Sequence, residues 1–203
     1  MVSGTGSGLR DERKRQTRDA LETAAWRLFA RKGFDHTTVD EIAAAVDVAP
    51  RTFFRYFETK DAVLYGPWRE HLADFCDRLA ARPAHEDPLT ALSASVSQFL
   101  EQLEHDTAEL LLRARIVARS TQSRSYRYDV MQPATVDAIA RVLARRLDVD
   151  IDLDLRPRLF ASVVTVALDT ARDVWVAGGG RQPIGRLVEQ AFAELGAPIT
   201  AHP

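Results

Sequence analysis

Residues 38–60 constrain this chain more than any other stretch: Thr-Val-Asp-Glu-Ile-Ala-Ala-Ala-Val-Asp-Val-Ala-Pro-Arg-Thr-Phe-Phe-Arg-Tyr-Phe-Glu-Thr-Lys. They read as two short helices joined by a tight turn. Thr37 or Thr38 can cap the first, and Glu41 lies three residues after Thr38, the spacing of a capping box. Val39, Ile42, Ala43 and Val46 recur at helical intervals and form a small apolar stripe. Asp47-Val48 makes the turn. Pro50 suits the first turn of the second helix, where its missing N–H costs nothing.

At about 100° per residue, Phe53 and Phe57 fall on one side of that second helix, with Phe54 at the edge. Arg51, Thr52, Arg55 and Tyr56 fall on the other. An aromatic inner face and an Arg/Thr/Arg/Tyr outer face match a recognition helix lying in the major groove of DNA. Arginine pairs bidentately with guanine, while Thr and Tyr hydroxyls reach phosphate or thymine. Lys60, at the start of the next helix, is placed for a backbone phosphate.

Upstream, Thr23-Ala-Ala-Trp-Arg-Leu-Phe-Ala-Arg-Lys-Gly-Phe-Asp-His-Thr-Thr resembles the first helix and turn of TetR-type regulators, in which the pattern is roughly A-x-x-L-F-x-x-x-G-[FY]-x-x-[TS]-[TS]. Thr38 to Lys60 resembles the V-x-x-I-A-x-x-A-G-V-s-x-x-t-[LF]-Y-x-Y-F-x-x-K that follows in that family. The match covers the first third of the chain. It implies that Thr52, Arg55, Tyr56 and Lys60 stand where the family commonly touches DNA. Thr37 and Thr38 match a helix N-terminus that docks on phosphate, which the helix dipole favours. Arg51 stands at a more variable position. Two departures are plain: Asp47 replaces a common Gly, and Phe54 a common Tyr, so that hydroxyl contact is not carried over.

The charge distribution agrees. The 203-residue chain carries a net −2, but residues 1–60 hold 11 Lys/Arg against 9 Asp/Glu and the remainder 16 against 20. A DNA-reading end on a body not drawn to phosphate fits that asymmetry. The one cysteine, Cys76, excludes an intramolecular disulfide framework and suits core packing. The polar start and the absence of an apolar run of about eighteen residues point to a cytoplasmic protein without membrane contact.

No convincing strand pattern appears, and the chain reads as all-α with about nine helices. A three-helix helix-turn-helix DNA-binding domain at 9–58 precedes a larger helical effector-binding and dimerisation domain at 59–203. The first helix runs from about Leu9 or Asp11 to Arg31, with Leu21, Ala25, Leu28 and Phe29 inside. Its basic start, Arg10–Arg18, reaches DNA or is a solvated helix end. A helix from Thr59 to about Ala81 links head to body. Two more span 88–105 and 107–120, the polar Thr121–Ser125 breaks the pattern, and 126–148 resumes it before an acidic loop. Two amphipathic helices close the chain. Val163 and Val174 on the first, and Ile184, Leu187, Val188, Ala191, Phe192 and Leu195 on the second, suit either the intramolecular core or pairing with a second copy in a four-helix interface. The family resemblance favours pairing, and a two-fold dimer implies a palindromic operator.

A body this large implies a ligand chamber, with Trp68, His71, Phe75, Phe99, Leu103, Arg113, Met131, Phe160 and Trp175 as candidate lining. Arg113 lies in an apolar run and needs a partner, an internal acid or an anionic ligand. The later half resembles TetR-like regulators with a body of the mycofactocin-regulator type, on Arg113–Arg119, Ala161–Trp175 and the residues after Gly180. That resemblance implies acyl-CoA or another amphipathic anion as effector. No phosphate loop, metal-ligand spacing or nucleophile motif is present, so no catalytic residue, cofactor or metal is expected. The expected protein is a sequence-specific transcriptional regulator, a repressor released from its operator by a small molecule; the alternative is a DNA binder that needs no ligand.

Overall fold

The computed structural model describes residues 5–103 and 107–196, with side chains described for 10–65, 68–69, 71–101 and 107–195. Ten α-helices and no strand occur among the described residues: α1 (Thr5–Lys32), α2 (Val39–Ala44), α3 (Pro50–Phe54), α4 (Asp61–Ala81), α5 (Pro88–Leu103), α6 (Thr107–Arg119), α7 (Thr121–Tyr126), α8 (Gln132–Leu147), α9 (Leu155–Ala177) and α10 (Ile184–Gly196). The tenth helix is α7. Thr121–Ser125, expected to break the pattern, is helical, and the break lies at extended Ser120. The Ser120 hydroxyl accepts from the Ser123 amide at 3.0 Å, so a polar run that lacks an apolar stripe is held helical by its cap.

A π-helical turn, Arg127–Met131, joins α7 to α8. Its cause is Pro133, which cannot donate to a carbonyl one turn back and would collide with it. The widened turn lets the Gln132 amide reach the Arg127 carbonyl, five residues back, and places Pro133 in the first turn of α8.

Two apolar clusters hold the molecule together. The head-side cluster gathers Leu21, Ala25 and Phe29 of α1 with Phe34, Ile42, Phe53 and Phe57, and it continues into the body through Ile116, Val117 and Met131. The body cluster packs Phe75 and Leu79 against Leu92, Val96, Ile139, Leu143, Val164 and Val188. Helix α4 serves both, with Val63, Leu64 and Tyr65 in the first and Phe75 and Leu79 in the second. Its carbonyl end is satisfied by Arg146, whose guanidinium donates to Leu79 (3.1 Å), Arg82 (2.7 Å) and Pro83 (2.8 Å).

The α9–α10 connection depends on glycine. Gly180 has φ +75°, its amide donates to the Trp175 carbonyl at 2.9 Å, and a Cβ there would lie 2.6 Å from Leu111 Cδ2. Gly33, at φ +87°, ends the α1 turn in more open surroundings. Gly180→Ala is therefore expected to cost more than Gly33→Ala. Each pays about 1–2 kcal/mol for a left-handed L-residue, and only Gly180→Ala must also displace Leu111. Equal losses in chemical denaturation would show that the Leu111 contact is loose.

Candidate nucleic-acid interface

The first helix of the motif is fixed at its start. Thr38 accepts from the Glu41 amide at 3.2 Å, and the Glu41 carboxylate accepts from the Thr38 amide at 2.9 Å, completing the capping box. Glu41 also pairs with Lys32 at the end of α1. The Lys32 ammonium first, and then the Thr38 amide and hydroxyl, lower the Glu41 carboxyl from its ordinary 4.5 to about 2. Ile42 and Ala43 are buried, and Val39 and Val46 pack partly buried against the same cluster. Asp47 takes the left-handed conformation, φ 55°, at the turn where the family pattern has glycine.

Helix α3 spans only five residues, with Pro50 in its first turn. Phe53 and Phe57 are buried with ring centroids 5.2 Å apart. Arg51 and Arg55 are exposed, and Thr52 and Tyr56 are half-buried. Phe54 is 56 % exposed, standing beside the arginines as an uncovered aromatic ring. Arg55 donates to the Tyr56 hydroxyl at 3.0 Å and lies 5.0 Å over its ring. Desolvation pushes the Tyr56 phenol up, but hydrogen bonds with Arg55 and Thr17 and the charges of Arg55 and Lys14 bring it below its ordinary 10.

Those partners place the first half of α1 beside the recognition helix. Within the basic run, Arg18 covers the Phe57 ring at 5.7 Å, Arg15 pairs with Glu12, and Lys14 adds positive charge at Tyr56. Lys14 and Thr17 lie within Arg10–Arg18, the run that the sequence left between DNA contact and a solvated helix end, and were not singled out in it. The signal that bears on them is positional: at an interval of three they share the face of α1 that also carries Arg18.

Two expected DNA-contacting side chains are turned inward. Thr37 is 1 % exposed, and its hydroxyl donates to the Gly33 carbonyl at 2.8 Å, closing the α1–α2 turn. Lys60 donates to the carbonyls of Phe34 (2.8 Å) and Thr37 (2.9 Å) and sits 4.1 Å over the Phe34 ring. Burial lowers its ammonium below the ordinary value. Lys60 thus staples the start of α4 to the turn before α2, with two of its three donors committed.

The nine chamber candidates do not converge. His71, Phe75 and Phe99 meet between α4 and α5, at 5.7 Å (His71–Phe99) and 6.4 Å (Phe75–Phe99). Phe160 packs against the body cluster. Met131 belongs to the head-side cluster. Trp175 is 2 % exposed and donates to the Gln182 carbonyl at 3.0 Å, fixing the α9–α10 turn. Arg113 finds an internal partner, Glu109, and lies 4.5 Å over Trp26, between head and body. The Leu103 side chain lies outside the described residues. Trp68 faces a groove between α4 and α8, and Arg113 a separate cleft between α1 and α6.

The C-terminal stripe divides between both of its readings. Val188 is buried in the molecule's own core, with Ile184, Leu187 and Phe192 packed against it; Ala191 is half-buried. Leu195 is exposed. On α9, Leu155, Leu159, Val166 and Val174 are exposed and Val163 half-buried. At 100° per residue these five lie within one arc, opposite buried Ala161, Val164, Ala171 and Trp175.

A capped helix-turn-helix with a cationic outer face, carried on an all-helical body, defines a DNA-binding regulator. The model for bacterial regulatory proteins of the tetR family matches residues 22–65, and that for the MftR C-terminal domain matches 86–200. The chain is 38% identical over 164 residues to the HTH-type transcriptional regulator TcmR of Streptomyces glaucescens, covering 78% of this chain and 72% of that one. It is 31% identical over 137 residues to the putative mycofactocin biosynthesis transcriptional regulator MftR of Mycobacterium tuberculosis, 66% and 67% of the two chains. Thermus thermophilus FadR, a TetR-family repressor solved with lauroyl-CoA, superposes with a TM-score of 0.57 at 21% identity over 92% of this chain and 97% of that one. The protein belongs to the TetR family of transcriptional regulators, and it is not an enzyme.

Because the Glu41 carboxyl is depressed when folded, its contribution is complete above about pH 4.5 and is lost as pH falls through about 2. Acid titration of unfolding stability should show that loss, and Glu41→Gln, which keeps a capping side chain, should flatten it. An unchanged acid limb in the variant would show that the ion pair adds nothing.

Proposed function

We propose that the protein is a homodimeric repressor that reads a palindromic operator and is released from it by a small-molecule effector. Residues 9–58 form the reading head and 59–203 the effector-binding and dimerisation body, acting in the cytoplasm, where the chromosome lies. The observation that carries the reading is the uncovered face of α3. Arg51 and Arg55 are exposed and Phe54 stands bare on a motif whose inner side is fully packed. Two guanidinium groups on a short helix suit guanine edges, and an apolar ring suits a thymine methyl. Thr38 opens α2 at the surface, where its helix N-terminus favours phosphate.

The apolar arc of α9 supports the second copy. Four exposed large apolar side chains at helical spacing along one side of α9 are a self-complementary surface under two-fold symmetry. Such a dimer sets two copies of α3 about one turn of DNA apart. The lauroyl-CoA carried by a relative of the same fold supports an amphipathic, acyl-CoA-like effector.

Purified protein should bind a fragment from upstream of its own gene more tightly than scrambled DNA, with affinity that falls steeply as salt rises. Equal, weak binding to both would sink the reading for that operator. Arg55→Ala should cost about 1–3 kcal/mol on the operator and relax discrimination at one base position; uniform weakening on all sequences would make Arg55 a phosphate contact instead. Val166→Asp should convert a dimer to a monomer in sedimentation and weaken operator binding with it. A variant that stays dimeric would move the interface off this arc.

A further inference from the structure

Helix α4 forms one wall of a groove that neither the DNA face nor the apolar arc of α9 uses. The π turn and α8 form the other. The groove encloses about 420 Å³. Trp68, Leu72 and Cys76 line it from α4; the small Ala134 and Ala138, with Val142, hollow out the opposite wall. Eight residues separate Trp68 from Cys76, so the apolar floor runs about 12 Å along the helix axis. Three arginines border it, Arg69, Arg141 and Arg145, and no carboxylate lines it among the described residues. Arg141 pairs with Asp137 at 2.8 Å. Arg69 and Arg145 have no ion-pair partner among the described residues. An apolar trough with an unbalanced positive rim attracts anions and repels cations.

We propose that this groove is the effector site and that it takes an amphipathic organic carboxylate in preference to a neutral or cationic amphipath of the same length. The proposal rests on the reading of the protein as an effector-released regulator and moves the site away from the chamber that the sequence suggested. The groove lies at the seam of the two apolar clusters: Trp68 packs against the head-side cluster, and Leu72 and Cys76 against the body cluster. Tyr126, also in the groove, stacks on Tyr65 with centroids 5.3 Å apart and planes at 14°. The Tyr65 hydroxyl donates to the Ser123 carbonyl at 2.8 Å, joining α4 to α7. An apolar body wedged beside Trp68 and Tyr126 bears on this junction, so occupancy and head position are coupled, each biasing the other equally.

Cys76 is the chain's one cysteine and it lines the groove, so its alkylation reports occupancy without DNA present. The test measures the rate of reaction with N-ethylmaleimide by intact mass, against decanoate, decanol and decylammonium. Decanoate should slow the reaction as 1 + [L]/Kd, about tenfold at ten times its Kd, and raise the melting temperature. Decanol should protect less at equal concentration, and decylammonium least. The double variant Arg69→Gln/Arg145→Gln, altered only at exposed positions, should weaken protection by decanoate several-fold and leave that by decanol unchanged. Alkylation undiminished at saturating decanoate, or protection by all three in equal measure, would overturn the proposal, as would a double variant indistinguishable from wild type. Operator discrimination by the same preparation is read separately: its absence beside intact protection would overturn the regulator reading and spare the groove.

Discussion

The rest of the structure depends on one helix belonging to two cores. Helix α4 is 21 residues long, about 30 Å, and its first turns are buried with the head while its last are buried with the body. Neither cluster can be rebuilt without moving it. Because apolar interiors are close-packed and resist continuous deformation, a change at one end of such a helix reaches the other as a rigid displacement. A ligand that acts on the head from the body needs little else.

The head is correspondingly stiff. Two of its three helices, α2 and α3, are too short to persist alone in water. Their order comes from packing on Phe53 and Phe57 and from polar ties at every joint: Lys32 with Glu41 across α1 and α2, Thr37 onto Gly33, and Lys60 onto the carbonyls of Phe34 and Thr37. A further tie crosses to the body, where the Ser120 hydroxyl donates to Asp35 at 2.5 Å. Charges spent on these joints are unavailable to DNA, and exposed cations of the head stand on the outer side of α3 and the start of α1.

Most of the fold was legible because it is written in local rules. The capping box at Thr38, the turn at Asp47, Pro50 at a helix start and the aromatic inner face of α3 each follow from a few neighbouring residues. What was not legible depended on partners distant in sequence. Thr37 and Thr38 look alike, yet one hydroxyl closes a loop and the other caps a helix. Lys60 reads as a free cation until the turn 23 residues earlier is folded under it. The chamber residues were chosen as aromatic or charged side chains in apolar surroundings, a rule that cannot tell a cavity wall from a core. The groove that the structure does contain owes its hollow to Ala134 and Ala138, and alanines carry no such mark. The helix count differed by one because a cap on Ser120 outweighed a polar composition.

The π turn before Pro133 has a consequence for how such a body can change over time. One extra residue in the turn rotates everything downstream by about 100° relative to an unbroken α-helix. With the turn in place, Ile139, Leu143 and Ala140 face the core while Ala134 and Ala138 face the groove. Were Arg127–Met131 to return to regular α hydrogen bonding at unchanged length, α8 would turn by that angle, carrying Arg141 and Arg145 off the rim and the core leucine Leu143 toward water. The hydrogen-bond pattern of a five-residue segment thereby sets the phase of a whole helix, and the loss of one residue there, which a regular α turn would absorb, leaves every face of α8 where it is.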